Sequence, residues 1–187
     1  MDLNQWYVKG MSVDDYIESM EKHKENLLHI YDHFTPPADD AFFQQVKEKN
    51  LRVIILTEDW CGDAMLNMPI LLHIAAKGGI DTRILLRDEN LELMDQYLTN
   101  GKSRSIPIFI FIDQDGNEVA KWGPRAPKIQ QFVDESRSNL PAKDAPDYDE
   151  KMKELLFFMT KSFRDNTDFW DEVYESIRQT LRNAIEN

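Results

Sequence analysis

The feature that most restricts the fold of this 187-residue chain is a change, at residue 51, in the spacing of its apolar side chains. Before that point Val13, Tyr16, Ile17, Met20, Leu27, Leu28, Tyr31 and Phe34 recur at helical spacing. Ser12, three residues ahead of Asp15, gives this stretch a capping-box-like start, and Pro36 and Pro37 stop it. One long helix is predicted, followed by a short one over "DDAFFQQVKEKN" with Phe42, Phe43 and Val46 inward. From residue 51 the period shortens. "LRVIILT" is a continuous β-branched run, as in a strand covered on both faces. Helical and strand patterns then alternate: a helix after "EDWCG" closed by Gly78, a strand in "DTRILLR", and a helix over "NLELMDQYLTNG" closed by Gly101. Next come the strands "IPIFIFID" and "NEVAKW", joined by a "DQDG" turn, and a helix in "APKIQQFVDESRSN". The order β-α-β-α-β-β-α calls for a mixed central sheet flanked by helices, an α/β architecture.

Beyond this unit "NLPAKDAPDYDE" reads as a linker, and two further amphipathic helices follow. Met152, Leu155, Leu156, Met159 and Phe163 mark the first, and Phe169, Val173, Ile177, Leu181 and Ile185 the second. Stripes this regular need a surface, either the chain's own core or a second copy, so a homodimer through the terminal helices is one expectation. The expected organisation is an N-terminal helical extension (1–50), an α/β domain (51–140) and a C-terminal helical extension (141–187). A net charge of −12, with acid spread along the whole chain, repels polyanions and argues against nucleic acid. No apolar run is long enough to span a bilayer, and the start lacks the basic head and apolar stretch of a secretory signal, so no membrane partner is expected. A single cysteine forbids an internal disulfide, which suits a reducing compartment; a cytoplasmic location is expected.

That cysteine lies in "TEDWCGDA", at the junction between the first strand and its helix. Trp60-Cys61-Gly62 at this junction, Pro69 eight residues on, Ser105-Ile106-Pro107 ahead of the hairpin and Gly123 after it keep one order and spacing over residues 51–137. In these residues the chain resembles the thioredoxin-like superfamily, and most closely a bacterial subgroup with a single-cysteine "WCGDA" motif. The resemblance implies a thioredoxin-like fold with additional N- and C-terminal helices. It also implies a nucleophilic thiol at Cys61, a cis-proline loop at Ile106-Pro107 against it, and Gly123 lining a substrate groove. Three departures stand out: Ala64 replaces the resolving cysteine, Asp63 the usual proline, and Ile55 a buried aspartate that assists proton transfer. Without a second thiol no intramolecular attack can release a mixed disulfide, so a stand-alone dithiol reductase is excluded.

A sulfur at the first turn of a helix meets unpaired N–H groups and the positive end of the dipole, which favour thiolate. Glu58, Asp59 and Asp63 oppose it, and Arg104 is the counter-charge expected to approach. A modestly lowered thiol pKa is predicted. The competing reading is a small buried hydrophobe, the common fate of a lone cysteine. Other patterns carry less: His29 and His33 lack a third ligand, "DQDGNE" has its glycine at the wrong position for a calcium loop, and His73 lies too far along its helix to act as a base. No metal or other cofactor is expected. The sequence thus points to single-thiol exchange at Cys61, with protein disulfides or a low-molecular-weight thiol as partners. Trp60, Gly62, Asp63, Ala64, Arg104, Ile106, Pro107 and Gly123 would line its groove. A non-catalytic binding module on the same fold is the alternative.

Overall fold

A computed structural model describes residues 1–187 of the protein. Strands β1 (Arg52–Thr57) and β2 (Asp81–Leu86) are parallel, since a helical crossover returns the chain to its starting edge. β3 (Ile108–Ile112) runs antiparallel to β1, and a tight turn sends the chain back as β4 (Glu118–Trp122). The order is β2-β1-β3-β4, so β1 and β3 are central, and the apolar runs at 53–56 and 108–112 are buried throughout. At the β3–β4 turn the Asp113 carboxylate accepts N–H bonds from Asp115 and Asn117, each 2.9 Å, and Gly116 takes φ 84°. "DQDG" is therefore a hairpin turn.

The helices are α1 (Asn4–Tyr7), α2 (Val13–Ser19), α3 (Lys24–His33), α4 (Asp40–Glu48), α5 (Gly62–Gly78), α6 (Leu91–Met94), α7 (Pro127–Ser138), α8 (Tyr148–Asp165) and α9 (Thr167–Glu186). These depart from the sequence reading in three places besides α1, which has no counterpart in it. The long N-terminal helix is two, α2 and α3, although Ser12 caps the first as expected by accepting from Asp15 N–H at 3.1 Å. Between them Met20 is extended and buried, His23 is left-handed, and the Glu21 and Lys22 N–H groups donate to Asp59 Oδ2. A carboxylate distant in sequence thus satisfies the amides that a continuous helix would have used. The left-handed cap of α5 is Gly79, not Gly78; Gly78 is still helical, and a methyl there would lie 2.8 Å from Val46 Cγ1, which is what calls for a glycine. The helix expected over 90–101 is the single turn α6. Beyond that turn Tyr97 is buried with its hydroxyl donating to Glu118 Oε2 at 2.6 Å, Leu98 is half-buried, and Asn100 and Gly101 turn the chain at positive φ.

The buried side chains form one continuous cluster from Leu3 to Ile185. α9 lays Trp170, Val173, Tyr174, Ile177, Leu181 and Ile185 against α5 and β4. The Trp122 indole N–H donates to Ser176 Oγ at 2.9 Å, and Arg178 Nε to Asp39 Oδ2 at 2.7 Å. The stripe of α9 is therefore spent on its own chain. No helix is long and apolar enough to cross a membrane.

Candidate functional site

The loop from β1 to α5 makes Cys61 the N-cap of α5. The Ala64 N–H donates to Sγ at 3.4 Å, and the thiol itself points at the Ile106 carbonyl, 3.5 Å away. The Ile106–Pro107 peptide is cis, as is Gly123–Pro124. Cys61, Ala64, Ile106 and Pro107 are thus brought together. Trp60, 44% exposed, stands outside them with the Arg87 guanidinium 4.9 Å from its ring centre. Gly62 opens onto free space, with nothing within 4 Å of where a methyl would be. Gly123, at φ 127°, is pressed against the proline loop, and a methyl there would lie 2.2 Å from the Pro107 carbonyl oxygen.

Cys61 is buried, only 8% exposed. Burial, with Asp63 second, pushes its pKa up to about 11, against the helix N–H groups of Ala64 and Asp63 and the Arg125 guanidinium. The thiol's donation to a carbonyl also favours the neutral form. The lowered pKa expected from a helix N-terminus is therefore not found, because partial helix charge does not offset desolvation of the thiolate. The counter-charge differs as well. Arg104 turns away, its guanidinium on Asp95 at 2.7 and 3.0 Å. Arg125 takes the place near the sulfur, holding Asp63 by two parallel bonds of 2.8 and 2.7 Å. Burial pushes the Asp63 carboxyl up, and this fork and the Arg137 charge pull it back. Glu58 accepts the Asp88 N–H at 2.9 Å, and Asp59 is occupied by the 21–22 amides, so both are committed to the scaffold.

Above the sulfur lies a cavity of about 480 Å³ lined by Trp60, Cys61, Gly62 and Asp63 below, Arg125 and Arg137 at one side, and His23 at another. Leu156, Phe157, Met159 and Phe163 of α8 form its roof. Burial lowers the His23 pKa, opposed by the Trp60 backbone and Asp59. The sequence reading gives no role to His23, Arg125 or Phe157, and takes Leu156, Met159 and Phe163 only as the apolar stripe of a helix, not as part of this site. A further missed residue is Asn67, buried on α5, whose amide donates to the Pro124 carbonyl at 2.9 Å and ties α5 to the turn that packs on the proline loop. The remaining histidines are structural: His29 and His33 stack at 4.2 Å, and His73 bonds the Tyr31 carbonyl.

A four-stranded mixed sheet, a helix capped by one cysteine and a cis-proline loop against that sulfur define a thioredoxin-fold protein with a single thiol at the usual place of two. A family model described as Thioredoxin matches residues 10–138, and the chain belongs to this thioredoxin family. The match takes in α2, α3 and α4 as well as the sheet. Among solved structures, a protein of unknown function from Pseudomonas aeruginosa is similar over 98% of this chain and 99% of its own, at 12% identity and TM-score 0.68. An HIV epitope-scaffold is similar over 100% and 98%, at 14% identity and TM-score 0.63. At these identities the likeness is one of fold. No curated protein matches the sequence.

Proposed function

We propose that this single-cysteine "WCGDA" thioredoxin acts in thiol–disulfide exchange through Cys61, as part of redox homeostasis in a reducing, cytoplasmic setting. The observation that carries the reading is the placement of Sγ at the cap of α5, 3.5 Å from the carbonyl that precedes Pro107, at the floor of a cavity. The sulfur attacks one sulfur of a disulfide R–S–S–R. One S–S bond breaks, Cys61–S–S–R forms, and R–SH leaves with the proton that Cys61 gave up. Ala64 cannot attack this product, so an external thiol must resolve it. A thiol of raised pKa is a poor leaving group, so the mixed disulfide is long-lived. Cys61 then serves as a capture site more than a rapid turnover centre, with Trp60 and Gly62 bordering access and Ile106-Pro107 flanking the bound group.

Incubation of the full chain with oxidised glutathione at mildly alkaline pH tests this by intact mass. One adduct on Cys61 is expected, none on Cys61→Ser, and release by added thiol at least tenfold slower than from a surface cysteine peptide. No adduct, while the unfolded chain reacts normally, would remove the exchange reading. It would leave the second one, a non-catalytic binding module, which the burial of the sulfur favours.

A further inference from the structure

The cavity above Cys61 differs in charge from the rest of the molecule. The chain carries a net −12, yet the charged side chains lining the cavity are Asp63, Arg125 and Arg137. His23 lines it too, and burial lowers its pKa, so its imidazole is neutral at mildly alkaline pH. Asp63 and Arg125 cancel one another through their two parallel bonds. Arg137, on α7, has no such partner: its side chain is exposed, forms no salt bridge, and acts on Asp63 only through its charge. One uncommitted guanidinium therefore remains, with the planar fork that suits a carboxylate. The roof is apolar. Of its side chains, Met159 and Phe163 are buried, while Leu156 and Phe157 are 50% and 74% exposed. Its volume of about 480 Å³ is that of a small-molecule site.

Building on the exchange reading above, we propose that the substrate of Cys61 is a small organic disulfide with a carboxylate on an aromatic body, the carboxylate meeting Arg137 and the body lying under α8. In the reaction the Cys61 proton passes to solvent and Sγ attacks one sulfur of the disulfide. The S–S bond breaks, its electron pair leaves on the departing thiolate, and Cys61–S–S–R forms. The protein thiol is oxidised as the disulfide is reduced, and no further reagent is needed. A neutral aromatic disulfide gains the roof but not the guanidinium, and an aliphatic anion gains the guanidinium but not the roof. A cationic disulfide meets Arg137 with like charge. The overall charge of the chain repels an anion, so a preference for one has to come from the cavity itself.

Rates of adduct formation on the full chain, read by intact mass at mildly alkaline pH, test the assignment. The probes are dithiobis(nitrobenzoate), an aromatic dianion; dithiodipyridine, aromatic and neutral; dithiodipropionate, an aliphatic dianion; and cystamine, a dication. Each rate is divided by that of mercaptoethanol with the same probe, which removes the probe's own reactivity. The aromatic dianion is expected to stand highest, with each of the others at least about fivefold lower. Arg137→Glu is expected to lower the ratio of aromatic dianion to neutral aromatic at least about tenfold, and Arg137→Lys to lower it less. A change in the reactivity of the thiol alone would leave that ratio where it was. Equal normalised rates, a highest rate with any of the other three probes, or a ratio that Arg137→Glu does not move would overturn the assignment and leave thiol–disulfide exchange standing. Failure of all four probes to modify Cys61 would overturn both.

Discussion

Replacing Gly123 by alanine is expected to lower the melting temperature by about 10 °C, corresponding to roughly 3 kcal/mol for a chain of this size. Two costs combine. The backbone at φ 127° is a region that residues with a Cβ rarely adopt. The added methyl would also lie 2.2 Å from the Pro107 carbonyl oxygen and 3.3 Å from Ile108 Cα, both backbone atoms that cannot rotate aside. The strain falls on the loop facing Cys61, so fold and site fail together. Gly62→Ala is the control: its methyl meets nothing within 4 Å at the start of α5, and no loss is expected. Thermal melts of the two variants side by side separate a specific packing requirement from a general intolerance of the site.

Arg125→Ala is expected to cost about 3 kcal/mol, because it strands the Asp63 carboxylate in a largely enclosed position without its two-pronged partner. Arg125→Lys should recover part of this, since an ammonium keeps the charge but not the fork. The pair also sets the thiol. Asp63 raises the Cys61 pKa and Arg125 lowers it, so Arg125→Ala should slow alkylation of Cys61 and Asp63→Asn should speed it. Opposite signs from two members of one ion pair are not what a purely structural role would give. Denaturant titration reads the first effect and iodoacetamide kinetics the second.

What the sequence made legible was local. β-branched runs set the strands, Ser12 caps its helix, and Asp113 with Gly116 builds the hairpin. Most of the misreadings depend on a contact between distant segments. The break between α2 and α3 exists because Asp59 takes up its amides. Asp63 chooses Arg125 across 62 positions of sequence, while Arg104, nearer in sequence to the proline loop, finds Asp95 instead. Apolar periodicity announced the two C-terminal helices but not what they cover. One spends its stripe on α5 and β4; the other roofs the cysteine. Cys61 is buried by the packed fold around it, and no motif in "WCGDA" encodes that burial.

The proposal that Cys61 is a covered, protonated capture thiol is tested most directly by its alkylation rate against pH. With only one sulfhydryl in the chain, intact mass reads a single product. The rate is expected to climb steadily through the alkaline range toward a midpoint near 11, and at neutral pH to lie about a hundredfold below that of a free cysteine peptide. A midpoint below 8, or a neutral-pH rate matching or exceeding the free peptide, would contradict it.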